Sequence, residues 1–116
     1  MKTKLFIYSK VKETVSRTYG GSNYTLNVYE VVDNDVIFIS EVHACTRAHK
    51  GEISEAFGAL IKARPEIKAN LIKRAKQVLK TDSENYFAKS AISNINNSGG
   101  YYTSFYENFG VKLISI

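Results

Sequence analysis

The sequence predicts an α+β domain, an antiparallel sheet of four to five strands with three helices packed on one face. Three observations carry this. Apolar and polar residues alternate with a period of two through residues 4–46, the spacing turns helical after Gly51, and the last sixteen residues return to β character. Strands and helices are thus segregated along the chain, where a parallel α/β fold would interleave them. At 116 residues, with no linker and no internal repeat, positions 1–116 read as a single domain.

The first strand is "KLFIYSKVKETVS", with Leu5, Ile7, Val11 and Val15 on one side and Lys4, Lys10, Lys12 and Thr14 on the other. Phe6 and Tyr8 interrupt the polar side, so that face is expected to be partly covered. "TYGGSNYT" is a glycine-rich connector. "YTLNVYEVV" sets Tyr24, Leu26 and Val28 against Thr25, Asn27 and Tyr29. Asp33 to Asp35 form a tight turn, because Asn and Asp bond their own backbone and tolerate left-handed angles. "VIFISEVHACT" follows; its start is apolar on both faces, as in a central strand.

Ile53, Ala56, Phe57, Leu60 and Ile61 then recur at helical spacing. Pro65 pushes the residue before it off helical angles and itself suits a first helical turn, so one helix ends near Ala63 or Arg64 and another begins. Ile67, Leu71, Ala75, Val78 and Leu79 form the second stripe. Thr81 with Glu84 reads as a capping box for a third helix, whose stripe is Phe87, Ala91 and Ile95 and whose stop is "NINNSGG". "YYTSFY" and "VKLISI" read as two short strands of a hairpin turning at Asn108–Phe109–Gly110.

Composition narrows the function classes. Hydrophobic residues at 44% and charged residues at 23% suit a folded chain. No apolar run approaches the roughly 18 residues of a membrane span, and "MKTKLFIYSK" lacks the apolar core of a signal peptide, so a cytoplasmic location and no membrane partner are expected. With Cys45 as the single cysteine, an internal disulfide and a cysteine-rich zinc site are excluded, and no cofactor or metal is expected. Twelve lysines against four arginines, with nine asparagines and eleven isoleucines, match the AT-rich coding bias of bacteriophages and mobile elements.

The net charge of +5 favours an anionic partner. The densest basic stretch sets Lys62, Arg64, Lys68, Lys73, Arg74, Lys76 and Lys80 against Glu66 alone. Like charges one turn apart repel by tenths of a kcal/mol, which an anionic partner relieves. Tyr19 and Tyr24 bracket "GGSN", and Tyr101 and Tyr102 follow "SGG". Aromatic rings beside cations stack on unpaired bases, and tyrosines equally anchor protein interfaces. The expected function is therefore binding, with no catalytic residue: a phage-type protein engaging nucleic acid through these lysines, arginines and tyrosines. The alternative is an inhibitor that docks on a host or defence protein. An exposed sheet edge would also allow homo-oligomers.

Two patches bear on a small enzyme. "VIFISEVHACTRAHKGEISEAFGALIKA" and "FYENFG" resemble the coenzyme A loop and the terminal tyrosine of GNAT-type acetyltransferases. That resemblance implies phosphate contacts near Arg47 and Gly51 and an acid at Tyr106. The chain departs from the pattern at Ile53, where the loop needs a small residue, and reads as helix where the family needs a strand. His43, Cys45, His49 and Glu52 suggest a metal site, and His43 and His49 with Arg47 and Lys50 an RNase-like acid–base pair. Neither set has a spacing that imposes geometry.

Overall fold

The computed structural model describes residues 3–15, 22–45, 51–97 and 100–116. Three long strands come first, β1 (Lys4–Val15), β2 (Ser22–Val32) and β3 (Asp35–Cys45). Three helices follow, α1 (Glu52–Ala63), α2 (Pro65–Thr81) and α3 (Tyr86–Asn96), and then β4 (Val111–Ser115). The sheet order is β3-β2-β1-β4. β1, β2 and β3 form an antiparallel meander, while β4 lies parallel to β1. The α+β class stands, with helices on one face, but the expected terminal hairpin does not form. Residues Thr103–Phe105 and Glu107–Phe109 are two 3-10 turns, and β4 reaches β1 after a crossover through the helical layer, which a parallel partner requires. Gly110 ends the second turn at φ 89°, a left-handed angle open to glycine.

Phe6 and Tyr8, with Tyr24, Leu26 and Val28 and with Val111 and Leu113, face the helices and form the core with Ala56, Phe57, Leu60, Leu71 and Ala75. For β1 this reverses the expected side. The alternation there separates two sets that are both apolar near the start, and the ladder is irregular between Lys10 and Lys12. That bulge takes Val11 out of the pattern and leaves it 59% exposed.

Leu5 and Ile7 instead lie on the opposite face, which no helix covers. There the register aligns two apolar rows across the sheet. One is Ile114, Ile7, Tyr29 and Phe38; the next is Leu5, Val31 and Val36, ending at Lys112 on β4. The following row, Ser9, Asn27 and Glu41, is polar. Tyr29 and Phe38 meet edge to face at 5.8 Å. β3 has the composition of a central strand yet is the edge, so Val36, Ile37 and Phe38 are 58%, 43% and 56% exposed.

The helix boundaries follow the sequence closely. Arg64, with φ −133°, ends α1, and Pro65 opens α2. The Arg64 guanidinium pairs with the carboxylate of Glu30, which is 9% exposed on the helix side of β2. Arg64→Ala should cost about 3 kcal/mol, because an unpaired carboxylate is then left under the helices. Glu30→Gln in the same chain should recover part of that loss. Urea midpoints of the three proteins check this; equal midpoints for wild type and Arg64→Ala would refute it.

The third helix is capped differently from expectation. Asn85 Oδ1 accepts from Ala88 N at 2.9 Å, whereas the Thr81 hydroxyl closes the end of α2 by donating to Val78 O at 3.2 Å. Starting at Tyr86, α3 buries Ala88, Ala91 and Ile95, which leaves Phe87 half exposed and outside the stripe it was assigned to.

Candidate functional site

Charge is distributed unevenly. Residues 62–80 hold seven cations and one carboxylate, six net positive charges, against +5 for the whole chain. Every other position together therefore comes to minus one. The structure divides these cations by role. Arg64 is held by Glu30, and Arg74 donates to the Phe109 carbonyl at 3.0 Å, tying α2 to the turn before β4. Lys62 lines a groove of about 620 Å³ between α1 and β3, together with Glu55. Lys68 is half-buried on the flank of the helix. Lys73, Lys76 and Lys80 remain. Their spacing puts them on one stripe opposite the buried Leu71 and Ala75, around a shallow groove floored by Ala69 and Ile72. Among the described residues none of the three has an ion-pair partner.

The tyrosines separate likewise. Tyr19 lies outside the described residues. Tyr24 is 3% exposed and belongs to the core, beyond reach of a stacking base. Tyr101 packs on Phe57 at 5.2 Å, in a space kept by Gly58: a Cβ there would stand 3.4 Å from the ring. Tyr102 is 66% exposed.

Tyr102 belongs to a cluster that the sequence reading missed. Phe105 forms its floor, with Tyr86 at 6.3 Å and Tyr102 at 6.0 Å, both steeply inclined to it. These rings border a groove of about 550 Å³ rimmed by Lys89, Ser90, Ser93 and Asn97. Asn94 holds the segment that carries Tyr102. Its Nδ2 donates to Gly100 O at 2.9 Å, and its Oδ1 accepts from Tyr102 N at 3.0 Å and from the Tyr106 hydroxyl. Ser54 Oγ also accepts from Tyr101 N at 2.6 Å. A signal existed in the helical spacing of Tyr86, Ser90, Ser93 and Asn97, but the reading of 101–106 as a strand hid Phe105.

The structure describes some of the residues behind the enzyme readings. Tyr106 is fully buried, stacked on Phe57 at 4.6 Å. Burial, with Tyr101 nearby, raises its pKa above the usual phenol value, so its proton is held rather than offered. His43 sits on the open sheet face, its Nδ1 3.1 Å from the Thr25 hydroxyl and its Nε2 2.9 Å from Glu41. Hydroxyl, imidazole and carboxylate are thus in line, but with the ring nitrogens exchanged relative to a hydrolase triad, where Nε2 faces the hydroxyl and Nδ1 the carboxylate. Among the described residues, β2 is an inner strand whose backbone pairs with β1 on one side and β3 on the other. His49, Lys50 and Arg47 lie outside the described residues. Among the described residues no three His, Cys, Asp or Glu side chains converge on a metal position, and no helix is long and apolar enough to cross a membrane.

No known protein family, curated protein or solved structure matches the chain. What fold and surface define is a small α+β domain with a cationic helix face and a separate aromatic groove.

Proposed function

We propose that this protein is a non-enzymatic nucleic-acid-binding protein that holds phosphates along α2 and unpaired bases in the aromatic groove of α3. The lysine-, asparagine- and isoleucine-rich composition fits a bacteriophage or mobile-element origin. The observation that carries the reading is the row Lys73, Lys76 and Lys80, exposed, of one sign and without carboxylates. Lysine contacts to phosphate release condensed counterions and act without regard to sequence. Tyr86 and Tyr102 offer exposed ring faces, and stacking contributes about 1–3 kcal/mol per base. Ser90, Ser93 and Asn97 supply hydroxyl and amide groups at the rim.

The test is anisotropy with labelled single-stranded and duplex RNA and DNA at about 50 and about 200 mM salt; affinity should fall by orders of magnitude across that range. Absence of binding at the lower salt overturns the reading. Tyr86→Ala/Tyr102→Ala should weaken single-strand binding by about 30-fold or more and leave duplex binding unchanged. An equal loss on both substrates would remove the aromatic groove from the site. A second reading, an inhibitor of a host or defence protein, is favoured by the uncovered apolar sheet face; a defined protein complex with weak salt dependence would support it.

A further inference from the structure

The open sheet face calls for an explanation of its own. One apolar row crosses all four strands, a second crosses three and ends at Lys112, and both stop at a polar row; the side chains at both sheet edges, Phe38 and Ile114, are 56% and 38% exposed. Contiguous apolar surface with a polar rim marks an interaction site. Its charges are few, so it has nothing to offer phosphates. We propose that its occupant is a second copy of this chain, packed face to face to give a two-fold sheet sandwich with helices on both outer sides.

Three observations favour a second copy. The first is area. Three strands of 12, 11 and 11 residues and one of five, spaced about 4.8 Å and rising about 3.3 Å per residue, give a flat face of about 600 Å², and pleating adds to it. Specific interfaces bury about 600–1,000 Å² per partner, so this face against its own copy reaches the small end of that range. The second is charge. A two-fold axis parallel to the strands lays β4 of one copy over β3 of the other at the same height. Lys112, at one end of its apolar row, then comes over the partner's Val36 and beside the acidic turn with Asp33 and Asp35, and the contact repeats by symmetry. The third is where the net charge lies. The six net positive charges of residues 62–80 belong to the helical layer, on the far side of each sheet. In the sandwich the two lysine rows are separated by both sheets, themselves about 10 Å apart, and by the helices, well beyond the screening length of about 8 Å.

Light scattering and sedimentation from about 1 to about 100 μM measure the association, with a complex at twice the 13.0 kDa chain mass expected. Phe38→Lys and Ile114→Lys should each give monomer across the range; both positions are exposed, and circular dichroism verifies the fold. Phe87→Lys, on an exposed apolar residue of the helical layer, should leave the dimer intact. Ile114 lies on the edge opposite β3, so it separates face packing from pairing of two β3 edges. A dimer insensitive to Ile114→Lys overturns the proposal, as does a wild-type monomer at every concentration. So does a protein of another sequence that occupies the face while the chain alone stays monomeric.

Discussion

Lys73→Gln/Lys76→Gln/Lys80→Gln should lose about a thousandfold in nucleic-acid affinity at about 50 mM salt, and the slope of log affinity against log salt should flatten by about 3. The magnitude follows from counterion release, which at that salt makes each phosphate contact worth about a factor of ten. The fold should not suffer. These lysines are one turn apart without carboxylates between them, so neutralising them relieves repulsion, and the melting temperature should hold or rise slightly. The choice of residues matters. Arg74 stands in the middle of the basic run but is engaged with the Phe109 carbonyl, so replacing it would confound binding with stability. Anisotropy titrations at several salt concentrations give both quantities; an unchanged slope would remove α2 from the interface.

Tyr106→Ala should cost about 3–5 kcal/mol, a large share of the roughly 5–15 kcal/mol by which such a domain is stable. The ring is fully buried, stacks on Phe57, and its hydroxyl donates to the same Asn94 oxygen that holds Tyr102. Tyr106→Phe keeps the ring and loses the hydrogen bond, so about 1–2 kcal/mol is expected. The hydroxyl also sets a pH dependence. Its pKa is raised in the folded protein, chiefly by burial, so folding favours the neutral phenol. Its contribution is complete below the unfolded value of about 10 and is lost as pH rises through the higher folded value. Wild type should therefore lose stability above about pH 10 more steeply than Tyr106→Phe. Urea unfolding at neutral and alkaline pH measures this; parallel curves for the two proteins would show that the phenol does not report its burial.

Part of the candidate site was legible and part was not. The basic run and the placement of most of it on the second helix were legible, because seven cations near one carboxylate need no tertiary information. Which of them face solvent was not, since Arg64 and Arg74 are occupied by Glu30 and Phe109, residues 34 and 35 positions away. Tyr102 was named from its place after glycines; Tyr24, named on the same ground, is core, because period two puts it in line with Leu26 and Val28. Tyr86 and Phe105 were missed because their partnership joins a helix start to a 3-10 turn, and neither segment announces the other.

By itself the sequence determined the α+β class, the order of the long strands and helices, the turn at Asp33 and the break at Arg64–Pro65. These rest on local causes: periodicity, turn chemistry and the geometry of proline. Only the tertiary structure decided which face of β1 meets the helices, that β3 is an edge despite its apolar composition, and that β4 runs parallel beside β1. Alternation sorts side chains into two sets without saying which set is covered. Strand order rests on contacts between distant residues, and those leave no mark on the residues near either one.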